Sequence, residues 1–168
     1  MKKVIVLLTF VLAATFANAQ AFEGKGDSKF QVGANFQDNG TGIVTTYDAG
    51  LGENFSIGFT ATYILGVKES MDIEFDPKFD DRVDVRARFN ANLGSVFQLG
   101  NEVDIYPGLS LGLRNFGAHL GTRYFFTDGF GVFMEFAVPL AKYDNSDLTA
   151  EQELNNQFVF SIGAAFNL

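Results

Sequence analysis

The sequence predicts an all-β fold, an eight-stranded antiparallel up-and-down transmembrane β-barrel, on three observations. Apolar and polar residues alternate with period two in segment after segment. Eighteen glycines and twenty phenylalanines stand against only three prolines, a composition that suits pleated strands and tight turns. No apolar run beyond the first twenty residues is long enough for a helix across a bilayer, so any crossing falls to strands.

The N-terminus is a separate object. Lys2 and Lys3 precede the apolar stretch Val4 to Phe16, and Ala17-Asn18-Ala19 follows as a small-x-small cleavage pattern. This predicts a signal peptide over residues 1–19, with Gln20 opening the mature chain. At about 13 residues the apolar part is too short for a spanning helix. Residues 20–28 read as a lead-in and 29–168 as the barrel.

Eight strands follow in order. Lys29 to Gln37 sets Phe30, Val32, Ala34 and Phe36 against Lys29, Gln31, Gly33, Asn35 and Gln37. Gly42 to Leu51 groups Ile43, Thr45, Tyr47, Ala49 and Leu51. Phe55 to Val67 repeats the alternation, and Arg82 to Leu93 carries it most cleanly, with Val83, Val85, Ala87, Phe89 and Ala91 opposite Asp84, Arg86, Arg88, Asn90 and Asn92. Val103 to Arg114 is the fifth. Ala118 to Phe126 and Gly131 to Lys142 are ambiguous, because Phe125 and Phe133 break the pattern near their shared turn. Gln157 to Leu168 closes the chain. A helix would scatter these classes around its circumference.

The connections alternate in length. Gly52-Glu53-Asn54, the stretch 94–101 and Thr127-Asp128-Gly129 are compact, whereas 68–81 and 143–156 are long and polar. Short periplasmic turns and longer external loops are expected of a membrane barrel; short external turns near 38–41 and 115–117 meet that asymmetry only in part. One or two helical turns are expected within Ser146 to Leu154, capped by Ser146 or Thr149.

Alternation alone fits two opposite proteins, since a soluble lipocalin-like barrel buries its apolar face and a membrane barrel exposes it. The polar face here holds Gly, Ser, Thr and Asn with a few Arg and Asp, and almost no Lys. Solvent-facing sheets carry more long charged side chains. Small polar groups with paired charges suit the crowded interior of eight strands.

Composition narrows the function classes. There is no cysteine, hence no disulfide framework, thiol nucleophile or lipidated N-terminal cysteine. Removing the leader takes two lysines from twelve basic residues and leaves ten against twenty acids, a net charge of −10. Such a chain does not invite nucleic acid, which is bound by neutralising phosphates.

From about Asp27 to Leu168 the chain resembles the small eight-stranded outer-membrane barrels of the OmpX and OmpA-domain type. The leader ending in Asn18-Ala19-Gln20 is similar to those common in Bacteroidota. The final segment QFVFSIGAAFNL is similar to the C-terminal strand signal read by the barrel-assembly machinery, carried here by Phe158, Phe160, Ile162, Phe166 and Leu168. It departs at its end, where Leu168 stands in place of an aromatic and Phe166 lies two residues back. The resemblance implies the outer membrane of a Gram-negative bacterium, with outer-membrane lipid, lipopolysaccharide and the assembly machinery as partners. It implies no biochemical activity.

Charged residues on the polar face form the first candidate site: Asp48, Asp84, Arg86, Arg88, Asp104, Arg114, Arg123 and Glu135. Buried charges must find partners, so these read as an ion-pair network filling the lumen, or alternatively as the lining of a narrow ion path. A tight turn at Thr127–Gly131 would set Arg123 across from Glu135. His119 is the single histidine. Outer-membrane lipid A deacylases pair a His with a Ser, but here the same-face neighbour is Gly121, and Thr122 points the other way. The acidic stretch Glu69, Asp72, Glu74, Asp76, Asp80 and Asp81 offers carboxylates to a divalent cation or to ions bridging lipopolysaccharide phosphates; it lacks Asp-x-Asp-x-Asp-Gly spacing and reads first as a solvated loop. Phe75 and Phe79 around Pro77 read as a contact surface or as packing on the rim. No nucleophile and base share a face, and no catalytic residue, cofactor or metal site is expected. The reading is therefore a non-enzymatic outer-membrane barrel with a structural or surface-interaction role. Its alternatives are a narrow channel for ions or small molecules and a soluble periplasmic ligand-binding barrel.

Overall fold

A computed structural model describes residues 20–67, 78–144 and 153–168. The expected signal peptide, most of the acidic loop (Glu69, Asp72, Glu74 and Asp76, with Phe75 and Pro77), and most of the expected helical turn after Ser146 lie outside the described residues.

Eight strands form one closed antiparallel barrel in the order β1 to β8: β1 Ser28–Gln37, β2 Gly40–Gly50, β3 Phe55–Val67, β4 Val83–Ala91, β5 Val103–Gly112, β6 Asn115–Thr127, β7 Phe130–Lys142 and β8 Val159–Asn167. One four-residue helix, α1 (Phe79–Arg82), precedes β4. Pairing of β1 with β8, from Lys29↔Asn167 to Gln37↔Val159, closes the sheet and removes its edges.

Burial is inverted relative to a soluble protein. Gln31, Ser56, Asn90 and Arg123 point inward and are sealed from solvent, whereas Phe36, Ile57, Phe59, Phe89, Leu109, Leu120, Phe136 and Ile162 lie exposed on the outer face. Because the side-chain period is two, one choice of face for each strand sets every residue in it. Every strand makes the choice that the alternation predicts.

Phe125 and Phe133, apolar residues on the otherwise polar faces of β6 and β7, obey the same parity: both point inward, 1% and 3% exposed. They belong to a small apolar cluster with Ala21, Val44 and Ala165. Apolar residues on the lumen face thus serve a purpose the strand pattern alone does not announce.

Several boundaries differ from expectation. Asn115–Gly117 belongs to β6; the β5–β6 turn lies at Leu113-Arg114. β4 and β8 each stop short of the alternating stretch that encodes them. The β4–β5 ladder runs only from Arg86↔Gly112 to Asn90↔Gly108; the next residue of β5 is Pro107, whose ring nitrogen has no hydrogen to donate. At the β1–β2 turn Asn39 takes φ 58°, a conformation that asparagine tolerates better than most residues.

Outside, aromatic rings gather at two heights. One group runs Phe30–Phe166–Phe130–Phe126–Tyr124 near the end that holds the termini, with neighbouring centroids 6.4, 5.6, 6.2 and 5.1 Å apart. The other runs Phe36–Phe160–Phe136–Phe158 toward the opposite end, at 6.2, 5.1 and 6.1 Å. Phe158, Phe160, Ile162, Phe166 and Leu168, the residues expected to form a C-terminal assembly signal, all sit on this outer side.

Candidate functional site

The middle of the lumen is built around two arginines and one tyrosine. Arg88 of β4 sends Nε to Asp48 of β2 (3.1 Å) and Nη2 to Glu135 of β7 (2.7 Å), and donates to Thr60 Oγ1 at 3.1 Å. Arg123 of β6 reaches Asp48 at 3.7 Å and Asp104 of β5 at 3.4 Å, and donates to Asn92 Oδ1 at 3.1 Å. Asp48 therefore bridges the two cations. Tyr106 lies against both guanidiniums, its ring centre 4.2 Å from Arg123 Cζ and 5.7 Å from Arg88 Cζ, an electrostatically favourable placement over an aromatic face. Its hydroxyl accepts from Gln31 (3.2 Å), whose own oxygen accepts from Thr46 (2.7 Å).

The pairing of Arg123 with Glu135 expected from a tight turn is corrected here. The turn pairs Thr127 with Phe130 instead of Gly131, and a one-residue register shift between Phe125 and Thr127 adds to this, so that β7 slides until Glu135 faces Gly121 and Arg123 faces Phe133. The slide is two residues, so every side chain keeps its face while the ion pairs change partners. Glu135 instead meets Arg88 from across the barrel. Gly121 has its own reason for being glycine: a Cβ there would run into the Tyr106 ring.

Toward the termini, Lys29 is 1% exposed and bound to Asp27 (2.7 Å) and Asn167 Oδ1 (2.9 Å), with its ammonium 5.1 Å from the centre of the Phe125 ring. Asp104 also accepts from the Gly94 backbone at 3.1 Å. The lead-in residue Ala21 tucks against this floor, its N–H bonded to Asn101 O at 2.7 Å. Lead-in, Phe125, Phe133 and Ala165 thus close one end.

At the opposite mouth residues 153–157 turn inward; Leu154, Asn155 and Asn156 are all buried. Arg86, paired with Asp84, donates to the Asn155 carbonyl. Asn115 Nδ2 donates to the same carbonyl at 3.2 Å and to Asn156 Oδ1 at 2.8 Å. Arg114 does not join the lumen network. It sits in the β5–β6 turn at the rim, where it donates to Asp80 O (2.6 Å) and lies 3.6 Å from Asp81. Two members of the acidic stretch, Asp80 and Asp81, are thus held by a cation within the protein.

His119 is buried beside Asn90 Oδ1 (2.6 Å), on β6 opposite Gly108. A cavity of about 30 Å³ lies near it, lined by Ser110, Glu135, Arg86 and Asn155 among others; another of about 40 Å³ lies near Asp104 and Gln20. Each has the volume of about one water molecule. Among the described residues no group of three or more His, Asp or Glu is placed to hold a metal ion. The arrangement holds charge in place and fills space.

Tyr106, Gln31, Lys29, Asp27 and Asn155 are the members that reasoning from charge and spacing did not name as a site. For Tyr106 a signal existed, since it is a large ring on the polar face of β5. For Asn155 the only signal is an apolar Leu154 beside two asparagines in an otherwise charged loop.

The sequence model of a family of unknown function, DUF6646, matches residues 11–168. None of the curated proteins matches in sequence. Among solved structures the chain is similar to a de novo designed transmembrane β-barrel (TM-score 0.57, 10% identity, covering 87% of this chain and 98% of that one). It is also similar to the attachment invasion locus protein Ail of Yersinia pestis, solved with the heparin analogue sucrose octasulfate (TM-score 0.44, 10% identity, 88% and 100%). A third is outer membrane protein G of Pseudomonas aeruginosa (TM-score 0.42, 11% identity, 88% and 99%). At these identities the likeness to the designed barrel is one of fold.

Proposed function

The chain belongs to DUF6646, a family of unknown function, and from that premise we propose that it is a non-enzymatic integral protein of a bacterial outer membrane, with a structural or surface-presenting role. The observation that carries the proposal is the inverted burial: a predominantly apolar exterior around an interior of paired charges and amides. In water, an apolar surface encircling a whole barrel far exceeds the few hundred Å² that soluble monomers expose. In lipid it carries no such cost.

Dimensions support the same solvent. From Phe158, just before the last strand, to Leu168, just after it, the outward residues span about 33 Å at ~3.3 Å per residue. A strand tilt of about 40° reduces that to about 25 Å of height, which matches the apolar band of outer-membrane barrels. The two aromatic groups lie where interfacial girdles are expected. Export by a cleaved signal peptide and insertion by the barrel-assembly machinery through the C-terminal strand belong to this reading.

The packed lumen favours a scaffold over a channel, because its described voids hold about one water each and the mid-lumen layer is cross-linked by ion pairs. The test is cell fractionation with protease shaving, joined to planar-bilayer recording. We expect the protein in the outer-membrane fraction, cleavage confined to the loops after β3 and β7, and no conductance. Recovery in the soluble periplasmic fraction would overturn the membrane assignment; steady single-channel currents would overturn the scaffold role.

A further inference from the structure

We propose that residues 153–157 form a displaceable stopper that seals a blind, outward-facing polar vestibule in the half of the barrel remote from the termini. Asn155 is its latch. The rest of the barrel wall is held by strand pairing, whereas this segment is held by side chains reaching its backbone. Gln37 Oε1 accepts from the Asn155 N–H at 2.7 Å and Gln37 Nε2 donates to Asn155 Oδ1 at 3.2 Å. The Asn155 amide donates to the backbone oxygens of Asp81 and Arg82 at 3.4 and 3.5 Å. Its carbonyl takes Arg86 and Asn115. Gln157 adds a bond to the Asp38 carbonyl at 2.6 Å.

The backbone is bent to make this possible, for Asn155 takes φ 62°, in the left-handed region. Leu154 is the apolar foot, fully buried; a Cβ on Gly40 would stand 3.1 Å from its Cδ2 and 3.3 Å from Ile64 Cγ2. A segment whose inner contacts come to one leucine and a set of hydrogen bonds opens at lower cost than a strand, which must break its ladder on two sides.

Beneath the stopper lies the cavity lined by Ser110, His119, Glu135, Arg86 and Thr62, with Asn155 as part of its wall. Below that, the Arg88–Glu135 and Arg123–Asp48 pairs and Tyr106 form a floor, and the lead-in closes the far end. Opening the stopper therefore makes a well and not a through-pore.

The cysteine-free chain allows single reporters. Ser110→Cys places a thiol in the vestibule, and Ser56→Cys, fully buried toward the termini, places one below the floor. Each is combined with Asn155→Gly, which keeps the left-handed backbone and deletes the latch side chain, and with replacement of 153–157 by glycine and serine. The readout is the rate of labelling by an impermeant thiosulfonate reagent on the folded, heat-modifiable full chain. We expect Ser110→Cys to label slowly in the parent background and about tenfold faster with Asn155→Gly, and faster again with the replacement. Ser56→Cys stays unlabelled and bilayers stay silent in every background. Equal Ser110→Cys rates in parent and Asn155→Gly, whether both slow or both fast, overturn the stopper. Labelling of Ser56→Cys, or current through the opened variants, overturns the floor. If the segment replacement does not fold, Gln37→Ala, which removes the same latch from the barrel side, takes its place.

Discussion

Arg88 and Glu135 should be more strongly coupled energetically than Arg123 and Glu135. The perturbation is a pair of double-mutant cycles: Arg88→Met and Glu135→Gln singly and together, then Arg123→Met with Glu135→Gln. Arg88 is 2% exposed and Glu135 8%, and their closest atoms are 2.7 Å apart. Among the described residues Arg88 is the cation in ion-pair contact with Glu135, whereas Asp48 has Arg123 as a second partner at 3.7 Å. Removing Arg88 alone leaves Glu135 as an uncompensated buried charge, for which about 3–5 kcal/mol is the usual cost. Removing both partners together relieves that penalty, so the double variant should lose less than the sum of the singles, with a coupling of about 1–3 kcal/mol. Arg123 and Glu135 form no ion pair with each other and communicate only through Asp48 and Arg88, so their coupling should be the smaller of the two. Denaturant titration of the protein folded in lipid vesicles, followed by the shift between folded and unfolded bands on a gel, measures all the corners. Coupling in the second cycle equal to or greater than that in the first would refute the register described for β6 and β7.

Other consequences follow from the same structure. Gly121→Ala should destabilise by about 1–3 kcal/mol through overpacking against Tyr106, whereas Gly129→Ala, in a turn with nothing within 4 Å of the added methyl, should change stability by less than about 0.5 kcal/mol; melting of the two variants side by side checks this. Ile162→Arg puts a charge on the exposed face between the two aromatic groups and should cost about 2–4 kcal/mol in a bilayer. An unaltered unfolding curve in vesicles would contradict a lipid-facing position. Arg114→Ala, at the rim, should cost no more than about 1 kcal/mol because its ion pair is partly exposed, and a loss as large as that of Arg88→Met would contradict its exclusion from the lumen network.

The strands were readable in the sequence because one binary choice, repeated every two residues, encodes both the element and its orientation. The run from Val83 to Ala91 states that choice without exception. The contents of the lumen followed from it, since Asp48, Arg88, Asp104, Arg123 and Glu135 all lie on the enclosed face. Which of them meet was not readable. Arg88 and Glu135 come from strands that are not neighbours in the sheet, and only closure brings them together. The partner swap at Arg123 hinges on a turn one residue tighter than expected together with a one-residue register shift beside Phe125, and strand alternation does not say how two strands are set against each other. Phe125 and Phe133 misled because an apolar residue inside a polar lumen looks like a break in the pattern until the small apolar floor is seen. Arg114 misled in the opposite way, because alternation was carried past Gly112 into a turn. The plug around Asn155 escaped notice because loops have no period from which an inward turn can be read.

Fluorescence quenching by brominated lipid tests the claim about solvent most directly, since the chain has no tryptophan of its own. Ile162→Trp in vesicles of brominated phospholipid should be strongly quenched, and Tyr106→Trp, enclosed in the lumen, should keep its emission. A bright Ile162→Trp signal beside a quenched Tyr106→Trp would mean that the faces are reversed.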